Sequence, residues 1–152
     1  MQVPTKIVVC DDNWAESPLF EFTLRNIGID YELDWVEDGL ELLVYLTTAE
    51  ILPDIIFLDV NMPGKSGIQY LEDIRSNRKW NHIPIIIQSF SGPTKDIEAA
   101  FYGGADLFIL KSDFSKDFQQ TLKTIFQRDW TTRTRPRKSN FFLSTPSQRS
   151  IS

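Results

Sequence analysis

The stretch Asp54 to Gly67, DIIFLDVNMPGKSG, constrains the fold more than any other part of the chain. Four consecutive apolar residues, Ile55, Ile56, Phe57 and Leu58, read as a strand buried on both faces, as in a parallel sheet covered by helices. The run ends on an acid, Asp59, and the carboxyl ends of parallel strands are where open α/β folds hold their ligands. Pro63 then fixes its own φ, Gly64 and Gly67 permit left-handed or close-approach backbone, and Ile68, Leu71 and Ile74 restart at helical spacing. A carboxylate is therefore held at the mouth of a sheet by a short, stiff loop.

The flanking chain repeats this alternation. Lys6 to Cys10 form a first apolar strand that ends at Asp11-Asp12-Asn13. The helix after it carries Leu19, Phe20, Leu24 and Ile27 and stops at Gly28; Asn13 and the pair Ser17-Pro18 are equally legible starts. Tyr31, Leu33 and Trp35 alternate with charges and predict a half-exposed outer strand. A helix rich in Leu40, Leu43, Val44 and Leu46 follows Asp38-Gly39. Ile85 to Ile87 predict a fourth strand ending at Gln88-Ser89, and Ile97, Ala100 and Phe101 a helix closed by Gly103-Gly104. Leu107 to Leu110 predict a fifth strand that ends at Lys111, before a helix from about Asp113 or Ser115 with Phe118, Leu122, Ile125 and Phe126 on one stripe. Five strands alternating with five helices make a doubly wound, five-stranded parallel α/β sheet with helices on both faces.

At 152 residues the chain accommodates one well-buried core and is too short for two ordinary domains. Its charge is asymmetric: residues 1–127 hold 10 Lys/Arg against 20 Asp/Glu, a net −10, and residues 128–152 hold 6 against 1, a net +5. The acidic body argues against general nucleic-acid binding by the domain. The division expected is a folded domain over 1–129 and a basic, disordered tail over 130–152, mobile and dispensable for folding beyond Trp130, with Phe141-Phe142-Leu143 as its one apolar patch. Cys10 alone excludes an internal disulfide and implies a reduced compartment. His82, the single histidine, lies in a polar loop and reads as a surface residue. No stretch approaches the ~18 apolar residues of a membrane span and no leader is visible, so a cytoplasmic protein is expected.

The segment ending in Asp59, with Met62-Pro63 and Gly67 after it, resembles the phosphorylation segment of response-regulator receiver domains. Asp11, Asp12, Ser89 and Lys111 supply the family's other parts in the expected order, and the resemblance covers roughly residues 5–129. Within the family, VEDGLELL, DVNMPGKSG and WNHIPIII are similar to short stand-alone receivers coupled to sensor histidine kinases, including the phytochrome-associated kind. The resemblance implies a flavodoxin-like strand order 2-1-3-4-5, with the first and third strands adjacent at the switch point.

With those strands adjacent, Asp11, Asp12 and Asp59 converge, and such mutual repulsion is relieved by protons or by a cation. Oxygen ligands with room for water suit Mg²⁺. The resemblance assigns direct metal contact to Asp12 and Asp59, a backbone carbonyl to Asn61 and a water-mediated contact to Asp11. It makes Asp59 the acceptor of a phosphoryl group from a kinase phosphohistidine or a phosphotransfer protein, with Lys111 and Ser89 on the phosphoryl oxygens. Phe108 is the aromatic that swings behind Ser89, and the fourth helix, fifth strand and fifth helix form the readout face. The protein is then a signalling switch rather than an enzyme, with its downstream partner unnamed and a homodimer left open.

Two departures bear on kinetics. Ser112 stands where the family has Pro, and a cis bond before a non-proline costs ~2.5–4 kcal/mol. Phe90, where a small residue is usual, is expected to screen the site and slow exchange. The alternatives are a phosphorylation-independent scaffold, a flavodoxin-like cofactor binder, opposed by the lack of a Gly-rich loop after the first strand, and an aspartyl-phosphate phosphatase, opposed by Asn61 where a second acid is needed. Arg133, Arg135, Arg137 and Lys138 add the option of an anionic contact by the tail.

Overall fold

A computed structural model describes residues 4–111 and 116–143. The strands β1 (Thr5–Cys10), β2 (Tyr31–Val36), β3 (Ile55–Asp59), β4 (Ile85–Ser89) and β5 (Leu107–Leu110) alternate with the helices α1 (Ser17–Asn26), α2 (Gly39–Thr48), α3 (Gly67–Arg75), α4 (Thr94–Gly103) and α5 (Lys116–Gln127). All pairings are parallel, in the order β2-β1-β3-β4-β5, with a sixth strand beyond β5. The doubly wound order expected from the sequence is the one observed, and β2 is the outer strand. Among the described residues no helix is long and apolar enough to cross a membrane.

Strand alternation sorts the core into two layers. Ile7, Val9, Ile55, Phe57, Ile86, Leu107 and Ile109 pack with Phe20 and Leu24 of α1 and with Phe118, Leu122 and Ile125 of α5. Val8, Cys10, Ile56, Leu58, Ile85, Ile87 and Phe108 pack on the other side with Leu42 and Leu46 of α2, Leu71 and Ile74 of α3 and Ala100 of α4. Helix α1 begins at Ser17, with Pro18 in its first turn, and a 3₁₀ turn over Trp14–Glu16 fills the space up to Asn13. On α2 the apolar residues divide between two faces: Leu40 and Val44 are exposed, whereas Leu42 and Leu46 are buried.

The expectation of a disordered tail is corrected over residues 130–143. A 3₁₀ turn at Trp130–Thr132 leads to a short helix, α6 (Lys138–Phe141), and to β6 (Phe142–Leu143), which pairs with β5 through Phe108↔Phe142 and Ile109↔Leu143. Three anchors account for the order. Arg133 donates from Nε to Oδ1 of buried Asp106 at 2.5 Å and from a terminal nitrogen to the carbonyl of Asn81 at 3.3 Å. Phe141 is 1% exposed and meets Phe101 edge-on, with centroids 5.3 Å apart. The cations of Arg135 and Lys138 lie over the rings of Phe101 and Tyr102, at 5.3 and 4.7 Å. Burying one Phe is worth roughly 1.5–3 kcal/mol, and aromatic and cation–π contacts add to it, so a basic segment without periodicity still docks. The Lys111–Ser112 bond, the start of the last helix near Asp113 or Ser115 and residues 144–152 lie outside the described residues.

Candidate functional site

The site is the top course of the two core layers. Asp11 follows Cys10, which is registered with Leu58, just as Asp59 follows Leu58, and Asp59 is itself registered with Gln88. These side chains continue the α1/α5 layer two residues beyond Val9, Phe57 and Ile86, and Lys111 continues it beyond Ile109. Ser89 continues the opposite layer, beyond Ile87. The loop after β3 is shaped to fit: Gly64 has φ +80°, and a Cβ on Gly67 would come within 2.0 Å of the Asp59 carbonyl oxygen. A capping box at Ser66 and Gln69 then starts α3.

Asp11, Asp12 and Asp59 each bring an oxygen to within 4.8 Å of the others; Asp11 and Asp59 are buried and Asp12 is exposed. The buried Lys111 ammonium lies 2.5 Å from Asp11 Oδ2, 3.4 Å from Glu16 Oε2 and 3.7 Å from Asp59 Oδ2. Burial opposes its charge, but the hydrogen bond to Asp11 and the fields of Asp59, Asp11 and Glu16 together hold its pKa above the ordinary value. Asp59 moves the other way from a normal acid. Burial pushes its pKa up to about 7 against the pull of Lys111, with Asp11 and Asp12 adding to the rise and the Asn61 backbone N–H opposing it.

Asn61 joins the acids to the switch side. Its backbone N–H points at Asp59 Oδ1 at 3.4 Å, and its side-chain amide donates to Ser89 Oγ at 3.1 Å. Ser89 is fully buried and also accepts from the Ser91 N–H at 3.3 Å. Phe108 does not enter this cluster. It is buried in the opposite layer, and its ring lies 5.9 Å from that of Phe142. Phe90 is 65% exposed, and its ring centroid sits 4.5 Å from Lys111 Nζ, at the entrance. His82 is exposed, at the other end of the strands, where a cleft of about 580 Å³ is lined by His82, Phe126, Arg128 and Trp130 among others.

Two participants escape the sequence reading. Glu16 is a second buried carboxylate on Lys111, tied to the Asn13 amide at 3.1 Å; nothing sets it apart among 21 acidic residues. Gln88 is 2% exposed and donates from Nε2 to Asp11 Oδ2 at 3.5 Å. Its signal was legible, a polar residue closing an isoleucine run, but it marks a strand end equally well.

An array of carboxylate oxygens with one exposed member, offset by one ammonium, is a hard-ligand set open to water, and it fits a divalent cation. Residues 7–123 match the model of the response regulator receiver domain. Response regulator Rcp1 of Synechocystis sp. is 28% identical over 127 residues, spanning 80% of this chain and 86% of that protein. The chemotaxis protein CheY-3 of Vibrio cholerae is 28% identical over 123 residues, spanning 81% and 92%. Among solved structures, the phosphorylated cyanobacterial phytochrome response regulator RcpA superposes with a TM-score of 0.76 at 30% identity, over 89% of this chain and 100% of that one. The Mn²⁺-bound form of Rcp1 gives 0.73 at 28% identity, over 88% and 100%. With the fold, the register of the strand ends and the family match in agreement, the chain belongs to the response-regulator receiver domains of two-component signalling.

Proposed function

We propose that Asp59 is the phosphoryl acceptor of a histidine-kinase-coupled switch, with Mg²⁺ as the working cation. The observation that carries this reading is the grouping of Asp59 with Asp11, Asp12 and Lys111 at the buried end of the sheet. An Asp59 oxygen attacks the phosphorus of a kinase or phosphotransfer-protein phosphohistidine; the new P–O bond forms as the P–N bond breaks, and its electron pair leaves with the imidazole. Because such transition states are loose, alignment and charge neutralisation are the protein's main contributions. Asp12 and Asp59 would hold the cation directly, Asn61 through its backbone carbonyl and Asp11 through water. Bound there, Mg²⁺ supplies the positive charge that keeps Asp59 ionised near neutral pH and offsets the incoming phosphoryl oxygens.

Lys111 then has an anion to turn to, and Ser89, now held by Asn61, has a phosphoryl oxygen to meet. Movement of Ser89 opens space for Phe108, and β6 lies directly against that ring, so the readout face of α4, β5 and α5 is one that already carries residues 138–143. A protein of this kind, with a reduced and buried Cys10, belongs in the cytoplasm. Incubation with a small acyl-phosphate donor and Mg²⁺ should add one phosphoryl mass, and chelation should suppress it. A phosphorylation-independent scaffold is the second reading, favoured by the Phe90 ring standing over Lys111. Failure of labelling with the donor and with every cognate kinase selects the scaffold.

A further inference from the structure

Among the described residues, Gln88 Oε1 is the one buried side-chain polar atom without a hydrogen-bond partner. The amide cannot escape by turning over. Its Nε2 donates to Asp11 Oδ2, and a flip would set its oxygen against that carboxylate. A buried acceptor left unpaired is costly, and a hydrocarbon of similar volume at the end of an isoleucine strand would avoid the cost. The position asks for a donor that arrives later.

The ammonium and side-chain amide donors on this side are committed. Lys111 is engaged by Asp11 and Glu16 and faces Asp59, and the Asn61 amide is held by Ser89. Phosphoryl oxygens are acceptors and do not satisfy an acceptor. Water carried by a divalent cation is a donor, and Mg²⁺ in such sites keeps several waters. We infer that Gln88 is a positioning residue for the cation: its N–H holds Asp11 Oδ2 in place, and its Oε1 accepts a hydrogen bond from a cation-bound water.

This inference rests on the cation reading proposed above. It predicts a split between two readouts. Gln88→Met, or Gln88→Leu, should weaken Mg²⁺ binding about tenfold or more, the usual effect of losing a partner behind a metal ligand. The cation-free thermal midpoint should be unchanged or higher, because no unpaired acceptor is buried. Binding is measured by calorimetry and by the fluorescence of Trp35, whose Nε1 donates to the Asp11 carbonyl at 3.0 Å. Variants that bind Mg²⁺ as tightly as the wild type overturn the inference and leave the function standing. Variants that both fail to fold without the cation also overturn it, because Gln88 is then a structural residue. A wild type that binds no Mg²⁺ overturns the function and this inference together.

Discussion

At the carboxyl ends of the strands, buried charges face one another: Lys111 touches Asp11 and Glu16, with Asp59 within reach. Along residues 130–143 the charges lie flat instead, Arg135 and Lys138 over the rings of α4, while Arg133 alone reaches a buried partner, Asp106. The first region concentrates repulsion, and in the function proposed above its members are rearranged by a cation or a phosphoryl group. The second relieves repulsion as it folds, for the acidic body meets a basic strap. One region is therefore built to change state and the other to hold still.

The largest effect that would break this contrast is on stability. Phe141→Ala removes a ring buried in the α2/α3/α4 layer and should cost roughly 3–5 kcal/mol, visible as a lower thermal midpoint, with Mg²⁺ affinity unchanged. A midpoint equal to the wild type would return residues 130–143 to the status of a dispensable tail.

The second effect is on the pH profile of the cation-free protein. Asp59 has its folded pKa raised to about 7 from 3.8, so between those values the folded state binds more protons than the unfolded one. Its contribution must then reduce stability as pH rises from about 4 to 7, by an amount on the order of a few kcal/mol. Asp59→Asn should flatten that stretch of the profile. Equal slopes in the two proteins would show that Asp59 is not held in a proton-favouring environment.

Phe90→Ala should give the smallest change. Its ring is mostly exposed and contributes a cation–π contact to Lys111, so removal should shorten the lifetime of the phosphorylated form roughly two- to fivefold. An unchanged lifetime would mean that the ring neither screens the site nor restrains the ammonium.

The same contrast explains what the chain discloses in its residues. The site is legible because its chemistry is spelled in residue type and place: an acid after Ile55–Leu58, two acids after Cys10, a Lys after Leu110 and glycines where the backbone must turn or approach. The core follows from strand alternation, whereas the buried side of α2 does not, because Leu40, Leu42, Leu43, Val44 and Leu46 leave the helix face ambiguous. The strap stayed hidden because its order depends on where Asp106, Phe101 and the free edge of β5 lie in space, and local composition carries no trace of them. Gln88 and Glu16 were missed for a related reason: a polar residue at a strand end and an acid in a short 3₁₀ turn acquire a role only through neighbours distant in sequence.

The most direct test of the central claim is to trap the phosphorylated protein by borohydride reduction and locate the modified residue by tandem mass spectrometry. Reduction should occur at position 59 alone, depend on Mg²⁺ and be absent from Asp59→Asn. Modification at Asp11 or Asp12, or labelling that persists in Asp59→Asn, would contradict it.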